Sequence, residues 1–168
     1  MWHLAVSPDG SRIAALRNED VGRELLFFTP DLEDLGGFDL STYASVIAVA
    51  YHPSGAKLYV TARGAAGGEH FLVIDITAAS VSARFLGSND CQVFCVANPV
   101  ATSREGRWIV FAEETGAHFV DTATDEPVVR AQNAFIGSGV AASPTENAFF
   151  FLRSDGLVTK VSYPEPGS

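Results

Sequence analysis

Cysteine is nearly absent: Cys91 and Cys95 are the only two in 168 residues. On one predicted strand they stand roughly 13 Å apart, at about 3.3 Å per residue. A disulfide needs Cα atoms within about 7 Å, so the expectation is two free thiols in a reducing compartment, with the cytoplasm as the default location. As zinc ligands they lack two partners. No apolar run reaches the roughly 18 residues of a membrane helix, so no membrane span is expected. Met1-Trp2-His3-Leu4 lacks a basic stretch followed by an apolar one, so no signal peptide is expected either. Basic side chains are scarce, 11 against 20 acidic, for a formal charge of −9. That balance disfavours a nucleic-acid binder, which needs a basic footprint, and suits solubility and a cationic partner. Helical periodicity is missing throughout.

The chain does have apolar residues, 47% of it against 18% charged, enough to build a core. They are arranged in four copies of one pattern. The clearest copy runs from Val49 to Phe85. In each copy a short apolar strand enters a tight turn, anchored at Gly10, Gly55, Gly106 and Asn147. Proline presets φ in such a turn, and glycine accepts a positive φ. A β-branched and aromatic strand follows: Ile13–Leu16, Leu58–Thr61, Trp108–Ala112 and Phe149–Leu152. A polar loop leads to a third strand such as Phe71–Ile76. A second turn near Asp75–Ser80 or Asp121–Glu126 leads to a more polar fourth strand, suited to an outer edge.

The anchors are spaced by roughly 40 to 50 residues, the length of a propeller blade. The predicted fold is therefore all-β: a β-propeller of about four four-stranded antiparallel blades, one domain over 1–168. The blades fall near 2–45, 46–91, 92–134 and 135–165. The fourth copy ends after its third strand near Tyr163, because Pro164 and Pro166 cannot continue a central strand. Four blades form a tight ring, and an open arc leaves two apolar blade faces in water. A compact ring, a homodimer completing an eight-bladed ring, and completion by blades elsewhere all answer this; the last two are favoured.

Ser7-Pro8-Asp9-Gly10, Leu58-Tyr59-Val60-Thr61, Val73-Ile74-Asp75-Ile76-Thr77 and Val120-Asp121-Thr122-Ala123-Thr124-Asp125 resemble the turns and strands of YVTN-type, WD40-like β-propeller repeats. The first copy is also similar to repeats of periplasmic and peptidase-gating propellers. The resemblance covers nearly the whole chain. It implies a propeller fold, in a family that includes binding scaffolds, surface proteins and some lactone hydrolases. There is no Trp-Asp dipeptide and no Gly-His pair, so the stricter WD40 signature is missing.

Arg17, Arg63, Glu113 and Arg153 end the second strand of successive copies, and in a propeller such positions recur around one rim. Three guanidiniums there can grip a carboxylate or acidic peptide with bidentate hydrogen bonds. The competing expectation is ion pairing with Glu19, Asp20, Glu24, Glu69, Glu114 and Asp155 in the same loops. Glu19, Asp20 and His70 complete the candidate partner-binding set. Arg17-Asn18-Glu19-Asp20 lacks the oxygen-ligand spacing of a calcium loop and reads as a solvated loop. No metal and no other cofactor is expected. The first strands, Leu4-Ala5-Val6, Ala48-Val49-Ala50, Cys95-Val96-Ala97 and Val140-Ala141-Ala142, carry no carboxylate for hydrolase chemistry. His52 replaces the serine of the turn motif and is expected to be structural; His70 and His118 are expected to face solvent or a neighbouring blade. Phe149-Phe150-Phe151 and Phe27-Phe28 are expected in core or blade packing. The chain thus reads as a non-enzymatic scaffold for a protein or peptide partner. The alternative is part of a lactonase-like hydrolase or of a peptidase-gating propeller, with its catalytic residues elsewhere.

Overall fold

Each sheet begins with the same local event: a strand, a turn closed by a buried hydroxyl or its substitute, and a second strand returning beside the first. The computed structural model describes residues 2–19, 22–87, 100–112, 116–132, 136–153 and 155–163. In the first turn the Ser7 N–H donates to the Arg12 carbonyl at 2.9 Å, and the Gly10 N–H donates back to the Ser7 carbonyl at 2.9 Å. The Arg12 N–H donates to Ser7 Oγ at 2.9 Å, and Ser7 Oγ donates to Asp9 Oδ1 at 2.6 Å. The turn at Ser103 repeats this pattern, with the Trp108 N–H donating to Ser103 Oγ at 2.9 Å. Gly10, Gly55 and Gly106 share a φ of 72 to 74°, a left-handed value that a Cβ disfavours.

The elements are β1 (Trp2–Val6), β2 (Ile13–Glu19), β3 (Gly22–Phe28), β4 (Asp34–Asp39), β5 (Tyr43–Tyr51), β6 (Lys57–Gly64), β7 (Glu69–Asp75), β8 (Ser80–Gly87), β9 (Val100–Thr102), β10 (Trp108–Ala112), β11 (Gly116–Asp121), β12 (Glu126–Gln132), β13 (Ile136–Ala142), β14 (Ala148–Arg153) and β15 (Val158–Ser162). They form four antiparallel meanders, β1-β2-β3-β4, β5-β6-β7-β8, β9-β10-β11-β12 and β13-β14-β15. The described residues are all-β, as the β-branched and aromatic strands between tight turns and the missing helical periodicity implied. The fourth sheet has three strands, in line with the break expected after Tyr163.

The chain divides into two compact units, Met1–Gln92 and Val93–Ser168. In the first, the β1–β4 and β5–β8 sheets pack face to face over one apolar core. Ala14, Leu16, Leu25 and Phe27 meet Val49, Tyr51, Leu58, Val60, Leu72 and Ile74 there. The register sets which residues take part: Ala14 pairs with Phe27 and Leu16 with Leu25, while Val60 pairs with Leu72. In the second unit, Trp108, Val110, Ala117 and Phe119 pack with Phe149, Phe151 and Tyr163. Phe149 is wedged between Phe119, edge-on at 5.7 Å, and Tyr163 at 5.1 Å. Phe27, Phe149 and Phe151 are core residues, and Phe28 and Phe150 lie half-buried on the opposite faces of their sheets.

Two details depart from expectation. Asn147 is not among the described residues with positive φ. Its turn is closed instead by Ser143 Oγ, which accepts from the Thr145 N–H at 3.3 Å and the Glu146 N–H at 3.1 Å. The expected third-copy strand Cys95-Val96-Ala97 lies outside the described residues, as do both cysteines; the strand that enters the Ser103 turn is β9.

Candidate functional site

Arg17, Arg63 and Arg153 lie toward the ends of β2, β6 and β14 remote from the serine-type turns, but not in one register. Arg17 and Arg153 stand four residues beyond the turn-flanking Ile13 and Phe149, and Arg63 five beyond Leu58, so Arg63 falls on the opposite face of its sheet. Each lies opposite the start of its first strand: Trp2 pairs with Arg17, Ser45 with Arg63 and Ile136 with Arg153. Arg17 and Arg63 thus occupy the same end of the two packed sheets of the first unit, and Arg153 has the equivalent place in the second. Glu113 and Asp20 lie outside the described residues.

Their side chains differ in how they are engaged. Arg17 Nη2 meets Glu24 Oε2 at 2.5 Å, a cross-strand partner in register. Arg153 clasps Asp155 with two prongs, Nε to Oδ1 at 3.2 Å and Nη2 to Oδ2 at 2.7 Å. Asp155 also accepts from the Leu157 N–H at 3.1 Å. That backbone bond, with Arg153 second, holds its carboxyl below the usual range. For Arg17 and Arg153 the local ion pairs anticipated as the competing expectation are formed. No ion pair engages Arg63 among the described residues; it is half-buried, opposite Glu69 in the register.

Arg63 adjoins a loop that glycine makes possible. The Gly64 N–H donates to the Gly68 carbonyl at 3.0 Å and the Gly67 N–H to the Gly64 carbonyl at 3.0 Å. Gly67 and Gly68 adopt φ of 87° and 83°. A Cβ on Gly64 would stand 2.7 Å from His70 Nε2, so this glycine leaves room for the imidazole. His70 also packs edge-on against Tyr43, with centroids 5.6 Å apart. His70 therefore braces the loop beside Arg63. Glu19 is exposed at the end of β2, opposite Gly22. His118 is buried, and His52 Nδ1 accepts from the Ser54 N–H at 2.9 Å, doing within its turn what Asp9 does for Ser11.

Sequence reasoning missed a two-pronged pair in the second unit, between Arg107 and Asp121. The signal was present: Arg107 directly precedes the second strand, and Asp121 is the aspartate of the Val-Asp-Thr turn motif that closes the same hairpin. Among the described residues no group of three His, Cys, Asp or Glu side chains is placed to hold a metal ion, and no helix is long and apolar enough to cross a membrane.

No protein-family model matches the sequence, and no curated protein matches it. Solved structures do match. The β-propeller domain of Cps50 (Swd1) from Myceliophteria thermophila aligns over 99% of this chain and 52% of its own, at TM-score 0.66 and 12% identity. A chain of the mitotic checkpoint complex aligns over 96% of this chain and 49% of its own, at TM-score 0.68 and 14% identity. A functionally unknown protein from Desulfotomaculum acetoxidans aligns over 96% of this chain and 55% of its own, at TM-score 0.62 and 12% identity. The chain spans about half the length of each. Likeness at such identity speaks to fold and not to activity, and what it shows, with the four meander sheets, is that this chain has a β-propeller fold.

Proposed function

We propose that the chain is a binding module built of YVTN-type repeats, and that it takes a protein or peptide partner on the loops at the Arg63 end of its sheets. The observation that carries this reading is the unequal engagement of the three arginines near this strand end. Arg17 and Arg153 are held by Glu24 and Asp155, whereas Arg63 stands beside a glycine-built loop with no ion pair among the described residues. A guanidinium presents several donors in a planar fork that suits a carboxylate. The net charge of −9 opposes a long polyanion, so the partner is a peptide presenting a single carboxylate and not an acidic tract. The first strands β1, β5, β9 and β13 carry no Asp or Glu, which favours binding over hydrolysis.

The test is fluorescence anisotropy with labelled peptides, each presenting one Asp or Glu side chain or a free C-terminal carboxylate. Arg63→Glu is expected to weaken binding at least tenfold with an unchanged β-sheet circular dichroism spectrum. Arg17→Ala is expected to leave affinity within about twofold, since Glu24 already occupies that guanidinium. Equal affinity in Arg63→Glu, or no binding by the wild-type chain, would overturn the proposal.

A further inference from the structure

Two buried nitrogens with no hydrogen-bond partner, Arg23 Nε and His3 Nε2, lie on the face of the first sheet that packs on the second. Strand alternation puts Arg23 in line with Leu25 and Phe27 of the core. The register puts His3 in the adjoining row, beside Leu16 and Leu25. Arg23 has Asn18 as its cross-strand neighbour, next to the end of the β2–β3 ladder. Across the seam, Tyr43 packs against the same core, and His70 shares a row with Val46 and Ala62. Backbone bonds tie the two sides together. The Leu40 N–H donates to the Arg23 carbonyl at 2.8 Å, and the Tyr43 N–H donates to the Leu40 carbonyl at 3.0 Å.

No acidic side chain stands in these rows. Glu24 turns to the other face of the sheet, where it holds Arg17. Asp39 pairs with Glu24 in the register and accepts from the Ser41 N–H at 2.8 Å. Arg23 is half-buried, and no ion pair engages it among the described residues. A guanidinium N–H closed off from water with no acceptor costs free energy, and such a group in a native fold calls for a partner. The planar fork suits the two oxygens of one carboxylate. The net charge of −9 opposes a multiply charged anion. Burial also holds the His3 pKa below its ordinary value, so the imidazole beside the site is neutral.

We infer that this end of the seam between the first two sheets is a carboxylate site, in which Arg23 takes both oxygens on its fork beside His3 and Tyr43. It is separate from the proposed Arg63 site, because Arg63 lies on the far face of the second sheet from Ala62 and the seam. The carboxylate comes from a small carboxylic acid or from a peptide end, and the two sources respond to different probes.

The experiment is a nuclear magnetic resonance titration of the isotope-labelled chain, read at the Arg23 Nε–H and at the Leu40 and Tyr43 amides. One arm adds sodium acetate, with sodium chloride at equal ionic strength as its control. The other adds a short peptide with a free C-terminal carboxylate, with the amidated peptide as its control. A saturable shift with acetate supports a small acid as the source, and one with the free peptide alone supports a peptide end. Arg23→Gln is expected to weaken binding at least tenfold at the two amides, with an unchanged circular dichroism spectrum. If that variant does not fold, Arg23→Lys, which keeps the charge and loses the fork, decides with an expected loss of at least threefold. Arg63→Glu is expected to leave this affinity within about twofold, so the two sites fail separately. No saturable shift with either probe, or unchanged affinity in the folded Arg23 variant, would overturn the inference.

Discussion

Arg107 and Asp121 grip each other across the β10–β11 hairpin through two parallel hydrogen bonds, Nε to Oδ1 at 2.6 Å and Nη2 to Oδ2 at 2.7 Å. The guanidinium also lies over the Trp108 ring, 5.7 Å from its centroid. Asp121 Oδ1 accepts in addition from the Ala123 N–H at 2.9 Å, which fixes the turn into β12. One carboxylate thus holds both the start of one strand and the exit from the next.

Asp121→Asn keeps an acceptor for Ala123 but cannot receive both prongs of Arg107. The expected loss is about 1 kcal/mol, small because Arg107 is a third exposed and water screens the pair. A thermal melt should show the transition a few degrees lower. The Arg107 hydrogen bond, chiefly, holds the Asp121 carboxyl below its ordinary range. A depressed carboxylate contributes stability that is present above its unfolded pKa and lost as pH falls through its folded one. The difference between wild type and variant should therefore shrink on acidification below about pH 4.

Asp9 gives a second acid-sensitive element, in the first turn. Hydrogen bonds from Ser7 Oγ first, then from the Ser11 N–H and Oγ, lower its pKa to about 2. By the same sign, the turn is fully braced above the unfolded value near 4 and loosens as pH falls toward 2. Ser7→Ala removes the leading donor and also the acceptor of the Arg12 N–H. Nuclear magnetic resonance titration should then show the Asp9 carboxyl titrating at higher pH, and amide exchange at Arg12 should quicken. An unmoved Asp9 titration would show that Ser7 does not set it.

Adjacent glycines in β4 are required for different reasons. Gly36 has φ of 85° and open space around its Cβ position, so Gly36→Ala meets only the backbone preference, about 1 kcal/mol. At Gly37 a Cβ would stand 2.1 Å from the Leu25 carbonyl oxygen, and that backbone atom is fixed in the β3 ladder beside the bulge between Leu26 and Phe28. Gly37→Ala therefore forces the edge strand away. Hydrogen exchange should rise along β4 in Gly37→Ala and change little in Gly36→Ala.

Much of this architecture could be read from residue order alone, because turn chemistry and strand alternation are local. Ser7-Pro8-Asp9-Gly10 and Val120-Asp121-Thr122 declare their turns before any tertiary contact is known. Where legibility failed, the deciding interaction was not local to the motif. Asn147 has a side chain that tolerates left-handed φ, yet the turn closes on Ser143 Oγ instead. Leu32 and Ala79 adopt φ of 66° and 49°, which neither residue type announces; Ala79 follows Asp75 by the same interval as Asp125, at φ of 58°, follows Asp121. At the candidate site the recurrence of Arg17, Arg63 and Arg153 near one strand end was visible in residue order, but not that Arg63 stands one register step beyond the other two. Which of them is engaged depends on cross-strand and turn partners such as Glu24 and Asp155, and only the register supplies those.

Phe149 and Phe150 are neighbours in β14, yet strand alternation assigns them opposite fates. Phe149 is fully buried between Phe119 and Tyr163, and Tyr163 Oη donates to Glu105 Oε2 at 3.1 Å, tying the end of the last sheet to the Ser103 turn. Phe149→Ala removes a ring from a packed aromatic stack and leaves a cavity, at an expected cost of about 3–5 kcal/mol. Phe150 is half-buried on the outward face beside Ala141 and Lys160, so Phe150→Ala should lower monomer stability far less. Denaturant melts of the two variants compare the two costs. A midpoint clearly lower for Phe149→Ala than for Phe150→Ala is the expected pattern, and equal costs at the two positions would contradict the alternation of β14.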